Sequence, residues 1–262
     1  LQQTTVAAVR PYFEKFVTLW PTVAALADAD EAEVMAAWAG LGYYARARNL
    51  IACARQVATL GAFPDDEAGL RALPGIGRYT AAAIAAIAFG RHAVVVDGNV
   101  ERIVARLFAI EQPLPGARAA LYDRAATITP ERRNGDFAQA MMDLGATVCR
   151  PRPPQCPACP LSGDCRAFAA GDPERFPAPK RRAVRPVRHG IAWWTERDGH
   201  VWLVRRPASG LLGGMAALPG EEWAAGAGRT VRPLASVTHV FTHFRLELLV
   251  AALATLSYSF IP

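Results

Sequence analysis

At 262 residues, 52% of them apolar and 20% charged, the chain is long enough for one large domain or two medium ones and is no disordered polyelectrolyte. No apolar run reaches the roughly 18 residues that a membrane-spanning helix requires. The formal charge of +6 is local: Arg175, Lys180, Arg181, Arg182, Arg185 and Arg188 stand together without an acidic residue, and the rest of the chain balances.

In chain order, residues 1–148 read as mostly helical. The opening Leu-Gln-Gln-Thr has no initiator Met and no signal-peptide pattern, so the sequence is expected to start within an element. Apolar residues recur at helical spacing over 34–38, 50–54 and the Ala-rich 80–89, with breaks at Gly40, Gly61, Pro64, Pro74 and Pro113. Residues 149–166 form a cysteine loop. Residues 167–187 are rich in Pro and Arg and predict a connector along which a phosphate backbone can run. From 188 to 262 the texture turns strand-like at 191–194, 201–204 and 237–249, predicting a smaller α+β domain that ends incompletely.

Three motifs carry chemistry. Leu73-Pro74-Gly75-Ile76-Gly77 lies between helical segments, where a Gly-x-Gly turn lets backbone N–H groups and a helix N-terminus face a phosphate; it also suits an ordinary helix–helix turn. Asp97, at the end of an apolar run in Val-Val-Val-Asp-Gly-Asn-Val, reads first as a helix cap, or as a carboxylate facing a ligand held by that hairpin. Cys149, Cys156, Cys159 and Cys165 follow a Cys-x6-Cys-x2-Cys-x5-Cys spacing. This clustering is unlike a secreted disulfide framework and suits thiolates holding Zn²⁺ or an iron–sulfur cluster in a reducing compartment. Cys53, in an apolar helical stretch, is expected to be a core thiol.

Together these motifs resemble the helix–hairpin–helix DNA glycosylases related to endonuclease III. The segments 40–50 (Gly-Leu-Gly-Tyr-Tyr-Ala-Arg-Ala-Arg-Asn-Leu) and 139–145 (Gln-Ala-Met-Met-Asp-Leu-Gly), with Leu1–Thr4, are similar to the MutY-type adenine glycosylases. The resemblance implies an all-α glycosylase domain whose four cysteines hold a [4Fe–4S] cluster. It implies a duplex DNA substrate bearing A·8-oxoguanine or A·G mispairs, with no membrane partner and a monomeric enzyme. The compartment would be the bacterial cytoplasm and nucleoid, or the nucleus or mitochondrion of a eukaryote.

By the same resemblance, Asp97 stabilises the oxocarbenium-like sugar while Tyr79 and Asn99 position and polarise around it. Gln2, Gln3, Thr4 and Leu41 lie near the lesion, Tyr43 wedges into the base stack, and Leu73, Gly75 and Gly77 grip the backbone. The bifunctional relatives carry a lysine nucleophile where this chain has Tyr79; a phenol cannot form the imine, which predicts base removal without efficient strand cleavage. The family's general acid is a glutamate three residues before Leu1, so this stretch alone is expected to bind lesion DNA weakly and to excise little.

Residues 205–207, 210–215 and 241–244 resemble the Nudix-like domain of the same proteins, in which Phe241, Thr242 and His243 would contact 8-oxoguanine. The sequence lacks the Glu-rich helix of Mg²⁺-dependent Nudix hydrolysis, and Ala216 stands where the family carries an aromatic. The competing expectations are a pyrimidine-lesion glycosylase with lyase activity and a non-catalytic, cluster-bearing DNA-binding protein.

Overall fold

Side-chain caps start half of the described α-helices. In the computed structural model, which describes residues 5–178, 184–207, 210–221, 223–225, 231–241 and 243–252, Thr5, Thr22, Asp30, Asp66 and Asp97 each accept a backbone N–H from the first turn that follows. They open α1 (Val6–Leu19), α2 (Val23–Ala27), α3 (Glu31–Trp38), α5 (Glu67–Arg71) and α7 (Gly98–Leu107). Left-handed glycines stop two others: Gly61 ends α4 (Ala45–Leu60) and Gly90 ends α6 (Arg78–Phe89). The remaining helices are α8 (Arg118–Ile128), α9 (Asn134–Thr147) and the short α10 (Arg166–Ala169).

The chain divides into two units, Leu1–Arg181 and Arg182–Pro262. The first is all-α, with two adjoining sets of buried side chains. One joins α4, α5, α6 and α9 through Val57, Leu70, Leu73 and the alanines of α6. Those alanines let helices approach closely: a Cβ on Gly135 of α9 would meet the backbone carbonyl of Ala86 at 2.5 Å. Cys53 lies in this core, and burial pushes its thiol pKa up.

The second set gathers Val100, Ile103, Val104, Leu121, Met141, Ala167 and Phe176 around α7. Ala167 and Phe176 fall within the stretch that Pro and Arg content assigned to the connector. They are nevertheless 0% and 5% exposed, so residues 167–178 fold back onto α7. Two apolar anchors suffice to tie down a polar segment, and composition averages over them.

In the second unit, β1 (Val187–Trp194) runs parallel to β7 (Arg245–Ala252), which pairs antiparallel with β6 (Ala235–Val240). Two short antiparallel pairs accompany this sheet: β2 (Glu196–Arg197) with β3 (His200–Val201), and β4 (Val204–Arg205) with β5 (Ala216–Ala217). Among its described residues the regular elements are strands. Trp223 packs close to Gly190, where a side chain would collide with the indole. Among the described residues no helix is long and apolar enough to cross a membrane.

Candidate functional site

The hairpin comes first in the chain. Leu73 is 3% exposed and plugs the core, so its side chain anchors the turn from inside rather than facing outward. Gly75, at φ +76, lies against Asn49, whose Cβ would be 2.7 Å from an added methyl; both the dihedral and the space require glycine. Gly77 precedes α6 without a side-chain cap and faces open space, leaving the first amides of a 12-residue helix turned outward. Arg78, the first residue of α6, stacks 3.5 Å over the ring of Tyr122.

Asp97 turns out to cap and to face its neighbours at once. Its Oδ1 accepts the N–H of Val100 at 2.8 Å, and its Oδ2 accepts Asn99 Nδ2 at 3.2 Å. Asn99 Oδ1 in turn accepts from Arg102 Nη2 at 2.9 Å. Arg102 also donates from Nη2 to the carbonyl of Gly145 at 2.6 Å, and from Nε to that of Cys149 at 2.8 Å. A continuous polar chain therefore joins the carboxylate to the first cysteine. Tyr79 is half-buried and donates to Met142 Sδ at 3.3 Å; burial first, and then the charge of Asp97, push its phenol pKa up. The phenol thus keeps its proton to higher pH than an ordinary tyrosine.

The four cysteines are free thiols that line one cavity. Cys149 follows α9, Cys156 and Cys159 bracket a single 3-10 turn, and Cys165 leads into α10. Arg106, only 3% exposed, organises this loop. It donates to the carbonyls of Arg150 (2.8 Å), Pro151 (2.9 Å) and Phe176 (3.0 Å), and to Cys149 Sγ at 3.3 Å. With that many acceptors, the buried guanidinium fixes where the loop can run.

Tyr43 is 52% exposed and Leu41 is half-buried, both in the turn between α3 and α4. Gln2, Gln3 and Thr4 lie outside the described residues, as does Thr242. In the second unit, Phe241 is not a free tip. Its ring stacks on Phe244 at 4.8 Å between centroids and meets His239 edge-on at 4.5 Å, while His243 is exposed. The sequence reading missed Arg102 and Arg106. They stand four apart in a helix that also carries Glu101, a spacing that suits a solvated face equally well.

The profile of HhH-GPD superfamily base excision DNA repair proteins matches residues 1–123, and that of the NUDIX domain matches 190–259. The adenine DNA glycosylase of Homo sapiens is 34% identical over 323 aligned residues, covering 97% of this chain and 59% of that protein. That of Arabidopsis thaliana is 36% identical over 84% of this chain and 40% of its own length. That of Mycolicibacterium smegmatis is 43% identical over 66% and 59%. The chain thus spans about 40% to 60% of the length of these relatives. Among solved structures, a thermostable thymine-DNA glycosylase superposes with a TM-score of 0.58 at 30% identity, over 64% of this chain and 79% of that one. A non-covalent endonuclease III–DNA complex gives 0.56 at 27%, over 65% and 80%. With hairpin, carboxylate and cysteine loop in one helical unit ahead of a Nudix-like sheet, the chain belongs to the HhH-GPD superfamily of base excision DNA repair proteins.

Proposed function

We propose that the whole protein removes adenine mispaired with 8-oxoguanine, or with guanine, by hydrolysing the N-glycosidic bond without cutting the strand. The observation that carries this reading is the pairing of the half-buried Asp97 carboxylate with the neutral Tyr79 phenol, in the position where lyases of this superfamily need an amine. The names of the curated relatives supply the base.

The outward amides at Gly77 hold the DNA backbone while the target nucleotide leaves the stack. As the glycosidic bond breaks, positive charge develops on the sugar, and Asp97 is the preorganised anion that meets it. Asn99 supports one carboxylate oxygen and the Val100 amide of α7 the other, so the group keeps its aim. Tyr79, parked on Met142, contributes shape and dipole rather than a nucleophile. Protonation of the departing base needs an acid besides Asp97.

Cys149, Cys156, Cys159 and Cys165 would hold a [4Fe–4S] cluster. They line one cavity, and four thiolates on one short loop are a donor set that suits an iron–sulfur cluster. A bound cluster would brace the cysteine loop, and Arg106 and Arg102 tie that loop to the Asn99 that holds Asp97. The Nudix-like unit reads the 8-oxoguanine strand through its 241–243 loop, and the protein acts as a monomer wherever chromosomal DNA is housed.

The test measures free base released from duplexes carrying adenine opposite 8-oxoguanine, adenine opposite guanine, or an oxidised pyrimidine, with borohydride added in parallel. Adenine release, faster opposite 8-oxoguanine and with no trapped protein–DNA adduct, is expected. Pyrimidine release with a nicked strand and a trapped adduct would instead make the protein an endonuclease III-like lyase.

A further inference from the structure

The turn between α3 and α4 is wound against the natural preference of its residues. Gly40, Gly42 and Tyr43 all lie in the left-handed region, at φ +99, +66 and +48. Glycine adopts this at no steric cost, but Tyr43 is strained there and stays only if its surroundings hold it. Two side chains do so. Trp38 donates its Nε1–H to the carbonyl of Gly42 at 3.0 Å. Arg46 donates to the carbonyl of Leu41 at 3.3 Å, and its guanidinium carbon lies 5.3 Å from both the Trp38 and the Tyr43 ring centroids. Behind them, Tyr12 of α1 donates to the carbonyl of Ala39 at 2.8 Å, and Phe16 meets Trp38 edge-on at 5.8 Å.

The result is a Trp38–Arg46–Tyr43 sandwich whose last ring is half exposed. An aromatic that enters a base stack must arrive already oriented, because each rotor frozen at the moment of contact subtracts from the binding energy available for unstacking. Resting on the reading that Tyr43 enters the duplex, we propose that Trp38 and Arg46 are positioning residues for base extrusion: they clamp the Gly42–Tyr43 turn so that the Tyr43 ring is presented to the stacked bases in a fixed pose. Arg46 must be arginine for this, because only a planar cation lies between two rings while its N–H groups reach a carbonyl in the same plane.

The test compares whole protein with Tyr43→Ala, Trp38→Leu, Trp38→Phe and Arg46→Lys. Single-turnover excision, the fluorescence rise of 2-aminopurine placed next to the target base, and affinity for undamaged duplex are read for each. Loss of one stacking contact and one hydrogen bond predicts about tenfold slower extrusion and excision for Trp38→Leu and Arg46→Lys, and a smaller loss for Trp38→Phe. Duplex affinity should stay within about twofold, since the charge of Arg46→Lys is kept. Combined with Tyr43→Ala, each should add less than about twofold, because clamp and wedge act as one unit. Full additivity with Tyr43→Ala, or wild-type extrusion in the clamp variants while Tyr43→Ala is slow, overturns the clamp. Wild-type extrusion in Tyr43→Ala overturns the wedge reading on which the clamp rests. Should Trp38→Leu fail to fold, Trp38→Phe and Arg46→Lys carry the comparison.

Discussion

Placing a methyl group on Gly145 probes how tightly the reacting carboxylate is held. Gly145 is buried in α9 where that helix crosses the start of α7; an added Cβ would lie 2.5 Å from Asn99 Cβ and 3.2 Å from both its Cα and Cγ. Ordinary carbon contacts fall at about 3.5–4.0 Å, so the two helices must separate by about 1 Å, and no Asn99 rotamer relieves a clash with its own Cβ. Overpacking of this kind costs about 1–3 kcal/mol, while alanine in a helix interior recovers about 1 kcal/mol over glycine. The net loss of stability for Gly145→Ala is therefore small, at most about 2 kcal/mol. Activity should suffer far more. Asn99 holds Asp97, Arg102 bonds both Asn99 and the Gly145 carbonyl, and a displacement of about 1 Å at a reacting group can cost about a hundredfold in rate. Single-turnover adenine excision, read beside the thermal midpoint, gives both numbers. A variant that melts within a few degrees of wild type and excises at the wild-type rate would refute the idea that this helix crossing sets the carboxylate.

Three further outcomes follow from the same geometry. Asp97→Asn keeps an oxygen for the Val100 amide and should change stability little, whereas Asp97→Ala loses the cap and about 1 kcal/mol, measurable by urea titration. Arg106→Leu strands the carbonyls of Arg150, Pro151 and Phe176 and unpairs Cys149. It should lower the unfolding free energy by about 3 kcal/mol or more and bleach the visible absorbance of the proposed cluster, and retention of both would count against its role. The phenols of Tyr79 and Tyr122 are pushed up, by burial first in both, so the folded state holds its protons longer than the unfolded one. Their contribution is complete below the ordinary tyrosine range and is lost as pH rises through it, so Tyr79→Phe should flatten the alkaline fall of the urea midpoint.

What could be read from the sequence was whatever is encoded within a few residues. The Asp97 cap is a local pattern, the hairpin glycines are fixed by dihedrals and close approach, and the cysteine spacing is written in one short stretch. Tyr79 was legible as the wrong residue for an imine. The rest depends on contacts between residues far apart in the chain. Arg102 and Arg106 reach partners more than forty positions away, and nothing in their neighbourhood tells a buried clamp from a solvated helix face. Phe176 marks the opposite error: it lies in a segment named a connector, yet it is buried, because core packing recruits apolar side chains whatever the composition around them. Trp38 and Arg46 stood beside the Tyr43 turn, but their stacking shows only in three dimensions.

The central claim is that Asp97 meets the charge that develops as adenine leaves. Its most direct measurement is single-turnover release of adenine from an A·8-oxoguanine duplex by the whole protein and by Asp97→Asn, at matched cluster content and matched DNA affinity. Release by the wild type, reduced by about a hundredfold or more in Asp97→Asn, is the predicted result. Equal release by both, or release of a different base by either, would contradict it.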